Sequence, residues 1–195
     1  MRKVILASSS PRRRELLSLA DIKFDICIKN IDETMEEGID PATAAEMTAE
    51  KKAIAVAEIN DEAIIIGADT IVVLDGKILG KPKDKDEAYD MLRSLSGREH
   101  TVITGVCLVL GKNIRTFHLE TTVKFYDLTD DVIRHYITTG EPMDKAGAYG
   151  IQGKGCILVE KIDGDYFNVV GLPVAKLARE IKKMQEEFGD LQTEW

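Results

Sequence analysis

The chain has little cysteine: three residues in 195, at Cys27, Cys107 and Cys156. An odd, widely spaced set with no CxxC pair and no Cys/His cluster excludes a disulfide framework and a structural zinc. Each lies in or beside an apolar run, so all three are expected to be reduced core residues. Positive charge is also short. Lysine and arginine number 26 against 34 acidic residues, a net charge of −8. Nucleic acid and anionic membranes both attract a positive field, so neither is an expected partner. Long hydrophobic runs are missing as well. Met1-Arg2-Lys3 followed by Val4–Ala7 has the order of a secretory leader, but the apolar part is far too short, and no segment could span a bilayer. A cytoplasmic location is expected. The motifs GxxxxGK[ST], GxSxG and HExxH are absent, which excludes a P-loop, a nucleophile elbow and a zincin. His100, His118 and His135 have no metal-ligand spacing. No repeat, low-complexity block or linker interrupts the chain.

What is present fits one domain, or one domain with two lobes, of ordinary globular composition: 44% hydrophobic and 31% charged. An acidic chain that still gathers arginine and lysine at a few points suggests a local site for a small anion. The first such point is Ile5 to Leu17. Val4–Ala7 reads as a buried strand. Ser8, Ser9 and Ser10 follow, and Pro11 suits the first helical position with Ser10 as N-cap. A strand, a hydroxyl-rich turn and a helix N-terminus make an anion site. Arg12, Arg13 and Arg14 oppose the helix dipole there, at a cost of roughly 0.3–1 kcal/mol each, which a bound phosphate chain would offset. Three successive residues cannot all face one ligand, and Arg12, nearest the mouth, is the first choice.

Further along, a strand is expected at Phe24–Ile28, an acidic irregular stretch over Lys29–Gly38, and a helix from Pro41 to about Ile59 capped by Asp40. Lys51 and Lys52 fall on its later half, Lys51 toward solvent. Ala63–Leu74 is nearly continuous β-branched sequence, the signature of a central strand. Asp75-Gly76 turns it into Lys77–Leu79. Asp84 and Glu87 mark a helix ending at Gly97. Thr101–Leu110 and Ile114–Tyr126 pair through Gly111-Lys112-Asn113, and Thr129 caps a helix ending at Gly140. Glu141–Gly155 has four glycines and no periodicity. Cys156–Ile162 and Tyr166–Val170 are expected to form a hairpin around Asp163-Gly164. Pro173–Phe188 is an amphipathic helix with Val174, Leu177, Ala178, Ile181 and Phe188 on its apolar stripe, and Gly189–Trp195 should fray. Hairpins mixed with strand–helix alternation give an α/β fold with a mixed sheet.

Asp69 is the second anchor. A carboxylate among Ile, Gly and Ala on a buried strand costs several kcal/mol unless paired. Metal coordination, base catalysis or an internal ion pair would each account for it. Gly67 permits close approach of another group. Lys81 sits in the glycine–proline loop Gly80–Lys83, and Asp144–Gly153 reads as a binding loop.

Taken in order, Ala7-Ser8-Ser9-Ser10-Pro11-Arg12-Arg13, Gly67-Ala68-Asp69-Thr70, Gly80-Lys81-Pro82, Leu95-Ser96-Gly97 and Asp144–Gly153 resemble the motifs of the Maf family of nucleoside triphosphate pyrophosphatases across nearly the whole chain. Ala148-Tyr149-Gly150-Ile151-Gln152-Gly153 looks like the branch acting on dTTP and UTP. The resemblance implies a mixed, twisted sheet flanked by helices with a deep cleft between two lobes, similar to the inosine triphosphatase type and often a homodimer. It places the catalytic carboxylate at Asp69, specificity positions at Arg12, Thr70 and Gln152, and further polar site positions at Glu33, Lys52 and Lys81. Ser8, Ser10 and Arg13 complete the phosphate end. The implied reaction splits the α–β phosphate bond, with Mg²⁺ or Mn²⁺ held by Asp69 and Glu33. Whether Asp69 is base, ligand or both stays open. Modified pyrimidine nucleotides are further candidate substrates. Gln152 offers a donor and an acceptor that match N3–H and a flanking carbonyl of uracil or thymine. Arg12, donor-only, would disfavour cytosine if it reaches the base. The family's link to septum formation leaves a rival: a nucleotide-binding regulator of division without turnover, which gives Asp69 no task.

Overall fold

Val4–Leu6 and Ile64–Leu74 form the neighbouring strands β1 and β3, paired in parallel with Val4 opposite Ile64 and Leu6 opposite Ile66. The structure is a computed structural model that describes residues 2–34, 38–60 and 62–188. Strand β2 (Asp25–Ile26) lies parallel to β1 on the other side. Strands β4 (Lys77–Leu79), β5 (Glu99–Leu110), β6 (Asn113–Phe125) and β7 (Val159–Asp163) complete a seven-stranded mixed sheet of order β2-β1-β3-β5-β6-β7, with β4 antiparallel to β3. Helices α1 (Pro11–Leu19), α2 (Pro41–Ala57), α3 (Lys85–Leu95), α4 (Asp130–Thr138), α5 (Tyr166–Val170) and α6 (Val174–Glu187) flank it. Among the described residues no helix is long and apolar enough to cross a membrane.

Local chemistry accounts for most boundaries. Asp40 accepts the Thr43 N–H at 2.9 Å, Asp84 the Glu87 N–H at 2.8 Å and Thr129 the Val132 N–H at 3.4 Å, so three helices start on side-chain caps. Asp75 and Gly76 both have positive φ, 51° and 74°, the conformation that closes a two-residue hairpin between β3 and β4. The turn from β5 to β6 is Gly111-Lys112.

The chain divides into two compact units. The first comprises Met1–Asp69, Thr104–His118 and Gly171–Trp195. Its core joins Ile5, Ile65, Cys107 and Val109 to the alanine face of α2, where Ala49 and Ala53 are fully buried. Small residues let α2 lie very close to the sheet. A β-carbon at Gly67 would stand 2.9 Å from the Ala53 β-carbon and collide with the Ala49 carbonyl. The second unit comprises Thr70–Ile103 and Leu119–Val170. Its core gathers Leu92 and Leu95 of α3, Ile133 and Tyr136 of α4, Phe125 of β6 and Tyr149.

Several expectations need correction. Tyr166–Val170 is a helix, not the second strand of a hairpin. Its β-favouring residues are overridden by Asp165, whose Oδ1 accepts the Phe167 N–H at 2.7 Å and the Asn168 N–H at 3.4 Å. Thr121 Oγ1 anchors that turn by accepting the Asp165 N–H at 3.1 Å. The strand expected over Phe24–Ile28 shrinks to two residues. Phe188 is exposed, and the apolar stripe of α6 runs through Met184 instead. Of the cysteines, which are all free, Cys107 is core, Cys27 is half-buried and Cys156 is exposed. Glu141–Gly155 is built largely of short 3₁₀ turns. The expected fraying of Gly189–Trp195, and the acidic positions 35–37, lie outside the described residues.

Candidate active site

In the first unit, Lys52 Nζ stands 2.7 Å from Asp69 Oδ1 and 3.1 Å from Glu33 Oε1. Two carboxylates far apart in sequence thus converge on one cation. The close approach of α2 to Gly67 brings Lys52 to Asp69, two residues further along β3. Asp32 helps present Glu33, because its Oδ1 accepts the Thr34 N–H at 2.9 Å and closes a tight turn. The Lys52 and Asp69 side chains are only 15% and 14% exposed, against 54% for Glu33. The Lys52–Asp69 contact is therefore the stronger. An exposed pair such as Lys52–Glu33 contributes about 0–1 kcal/mol, whereas breaking a buried one leaves an uncompensated charge.

The serine turn carries the second feature. Ser10 holds the N-cap position of α1, yet its side chain makes no capping bond. Instead its N–H donates to Ser8 Oγ at 3.3 Å. That same oxygen accepts from Arg13 Nη1 at 3.1 Å, while Arg13 Nε donates to the Gly171 carbonyl at 2.9 Å. Arg13 is thus the buried arginine of the first turn, and Arg12 is half-buried. Burial lowers the Arg13 pKa, the Asp69 charge opposes that, Arg12 adds to it and Glu33 opposes it. Guanidinium remains charged regardless, so Arg13 gives the turn a fixed positive charge that is felt by both carboxylates.

The second unit holds the remaining sequence candidates. Thr70 follows Asp69 on β3 and is half-buried, Lys81 is exposed, and Gln152 is half-buried. The loops of the last two are tied, because the Gly147 N–H donates to the Gly80 carbonyl at 3.0 Å. Gly147 has φ 65°, and a β-carbon there would meet Val72 Cγ1 at 2.9 Å, so glycine is needed for that docking.

Two carboxylates that share a cation suit Mg²⁺ or Mn²⁺, which take one or two protein carboxylates and fill their other positions with phosphate oxygens and water. Among the described residues no group of three or more His, Cys, Asp or Glu could hold an ion. A pair of carboxylates fits a hard cation that takes its remaining ligands from other oxygens.

A model of the Maf-like protein family matches residues 3–184. The chain belongs to the Maf family. Relatives include a dTTP/UTP pyrophosphatase of Bacillus pumilus, 52% identical over 189 residues that cover 97% of this chain and 98% of that one. Another, from Bacillus cytotoxicus, is 52% identical over 183 residues, 94% of this chain and 96% of that one. Among solved structures, a HAM1 protein from Coxiella burnetii superposes with a TM-score of 0.52 at 14% identity, covering 94% of this chain and all of that one. The Ham1 protein of Staphylococcus aureus gives 0.51 at 14% identity over 79% and 78%. At such identity the likeness concerns the fold alone.

Within this Maf chain, Ser8 meets Arg13, and Lys52 meets both Glu33 and Asp69. Sequence reasoning missed Tyr136 and Glu141, which hold the Gln152 loop, and the pairing of His100 with Tyr149 at 2.7 Å. Tyr136 reads simply as core on an amphipathic helix. Glu141 left one signal, an acid placed directly after the helix-ending Gly140.

Proposed function

We propose that the chain hydrolyses dTTP and UTP to the nucleoside monophosphate and pyrophosphate. The observation that carries this reading is the convergence of Asp69 and Glu33 on Lys52. A nucleotide sensor would need positive charge, whereas a nearly buried carboxylate beside it suits a group that holds a cation or takes a proton.

Each residue has a task on this reading. Ser8, Ser10, Arg13 and the α1 N-terminus receive phosphate oxygens, Lys52 and Lys81 neutralise the chain of charges, and Arg12, Thr70 and Gln152 select the base. Asp69 accepts a proton from the attacking water. A divalent cation, Mg²⁺ or Mn²⁺, held by Asp69 and Glu33, would draw charge from the α–β bridge. Lys52 then exchanges its carboxylate contacts for phosphate oxygens as substrate enters. The reading places the protein in the cytoplasm with no nucleic-acid or membrane partner, in keeping with its net charge of −8, and leaves a homodimer open.

The test is a screen of nucleoside triphosphates with Mg²⁺ or Mn²⁺ that follows pyrophosphate release. UTP and dTTP should be used comparably, since nothing in the Gln152 pairing rejects a 5-methyl group, and CTP poorly. Release of nucleoside diphosphate would point to phosphoryl transfer, and no turnover of any triphosphate would leave only a binding role.

A further inference from the structure

Gln152 sits in a stretch of chain held on both sides by one pair of side chains. Tyr136, buried on α4, accepts the Gly150 N–H at 3.1 Å and donates its own hydrogen to Glu141 Oε1 at 3.0 Å. Glu141 then accepts the Gly155 N–H at Oε1, 3.2 Å, and the Lys154 N–H at Oε2, 3.0 Å. Those N–H groups belong to the 3₁₀ turn Gly153–Ile157, which starts directly after Gln152. Groups of this kind have no partner within their own turn and need an outside acceptor. Lys145 closes the arrangement by donating to the Glu141 carbonyl at 2.6 Å and to Asp144 Oδ1 at 2.7 Å. The fit is close. A β-carbon at Gly153 would stand 2.8 Å from Glu141 Oε2, and one at Gly155 would stand 2.8 Å from the Tyr136 hydroxyl. Burial raises the Glu141 pKa, but the hydrogen bonds from Lys154, Tyr136 and Gly155 outweigh it and the group is held below its ordinary range. The Gln152 side chain makes no capping bond of its own, while the backbone on either side of it is gripped by Tyr136 and Glu141.

We propose that Tyr136 and Glu141 are positioning residues for base selection: they fix the Gly150–Gly155 backbone so that Gln152 presents its amide in one orientation. This rests on the base-reading role of Gln152. A free amide can turn over and accept the cytosine edge as readily as that of uracil, so discrimination requires that it be held. Polar recognition separates substrates by orders of magnitude only when the wrong edge is left unpaired, and a misplacement of about 1 Å is enough to lose it.

The experiment measures kcat and KM for UTP and CTP, with thermal melts, in wild type, Tyr136→Phe, Glu141→Gln, Glu141→Ala, Gln152→Ala and the double variant Tyr136→Phe/Gln152→Ala. Tyr136→Phe and Glu141→Ala should reduce the UTP-to-CTP ratio of kcat/KM at least ~10-fold, chiefly by raising KM for UTP. Glu141→Gln keeps one acceptor oxygen and should lie between Glu141→Ala and wild type. The double variant should discriminate no worse than Gln152→Ala alone. If Gln152→Ala lowers the ratio while the Tyr136 and Glu141 variants keep it, or lose both activities equally in step with stability, the positioning role is overturned and base reading stands. If Gln152→Ala leaves the ratio unchanged, the base-reading role itself fails, and this inference with it.

Discussion

Gly67 of β3 lies directly beneath Ala53 of α2, where a β-carbon would come within 2.9 Å of the alanine side chain and strike the Ala49 carbonyl. The helix that carries Lys52 is therefore set against the strand that carries Asp69 at a distance only glycine permits. Gly67→Ala should force α2 outward, and overpacking of this kind costs about 1–3 kcal/mol. The melting temperature should fall, and pyrophosphate release should drop further than the loss of folded protein explains, because Lys52 moves with its helix. Activity that tracks the folded fraction alone would show that the Lys52 position is not set here.

Asp69 and Lys52 should separate chemistry from stability. Asp69→Asn keeps the shape and leaves Lys52 its contact with Glu33 at 3.1 Å. Turnover should fall at least ~10²-fold, the scale of a lost general base, while the melting temperature should fall less than in Lys52→Ala because Lys52 keeps Glu33. Lys52→Ala leaves the nearly buried Asp69 carboxylate without that partner and should lower both activity and melting temperature. Near-normal turnover in Asp69→Asn would move the chemistry elsewhere.

The fold was readable where local signals agree with tertiary demand. The β-branched run at 64–74, the caps Asp40, Asp84 and Thr129, and the Asp75-Gly76 turn all formed as expected. The failure at Tyr166–Val170 has a definite cause. Its five residues favour a strand, and the deciding contacts come from Asp165 and from Thr121, more than forty positions earlier in the chain. Asp69 stands out in the sequence because a lone carboxylate in an apolar strand is conspicuous. Glu33 is named only through the family resemblance, since it lies in an acidic stretch and its place beside Asp69 depends on Lys52 of another element. Among the arginines, the burial of Arg13 follows from the Gly171 carbonyl, which no local pattern reveals.

Lys81 tests the phosphate end. The side chain is exposed, and its loop is held to the rest of the second unit through the Gly80 carbonyl. Lys81→Ala should weaken binding and turnover of UTP while leaving UMP affinity nearly unchanged, because the proposed function assigns the lost charge to the outer phosphates. Calorimetric titration with both nucleotides reads this directly. An equal loss for both, or none for either, would place Lys81 outside the phosphate site.

His100 gives the protein a built-in acid sensitivity. It is buried against Phe125 and Tyr149, with ring centroids at 5.0 and 5.3 Å in edge-on geometry. Its Nε2 meets the Tyr149 hydroxyl at 2.7 Å, and its Nδ1 is buried with no partner. Protonation would bury a charge and leave an N–H unsatisfied, and burial lowers the pKa from 6.5 to about 4. Between these values the unfolded chain binds more protons than the folded one, so stability rises with pH across that window. The contribution is complete above about pH 6.5 and is lost as pH falls toward 4. Its full size is roughly 3 kcal/mol. His100→Phe removes the titrating ring and the Tyr149 hydrogen bond together. The variant should be less stable than wild type near pH 7, and its stability should fall less steeply between pH 6.5 and 4. Urea unfolding at half-unit pH steps measures both slopes. Parallel curves for wild type and variant would mean that His100 titrates alike in the folded and unfolded chains, and that acid sensitivity in this window comes from the carboxylates.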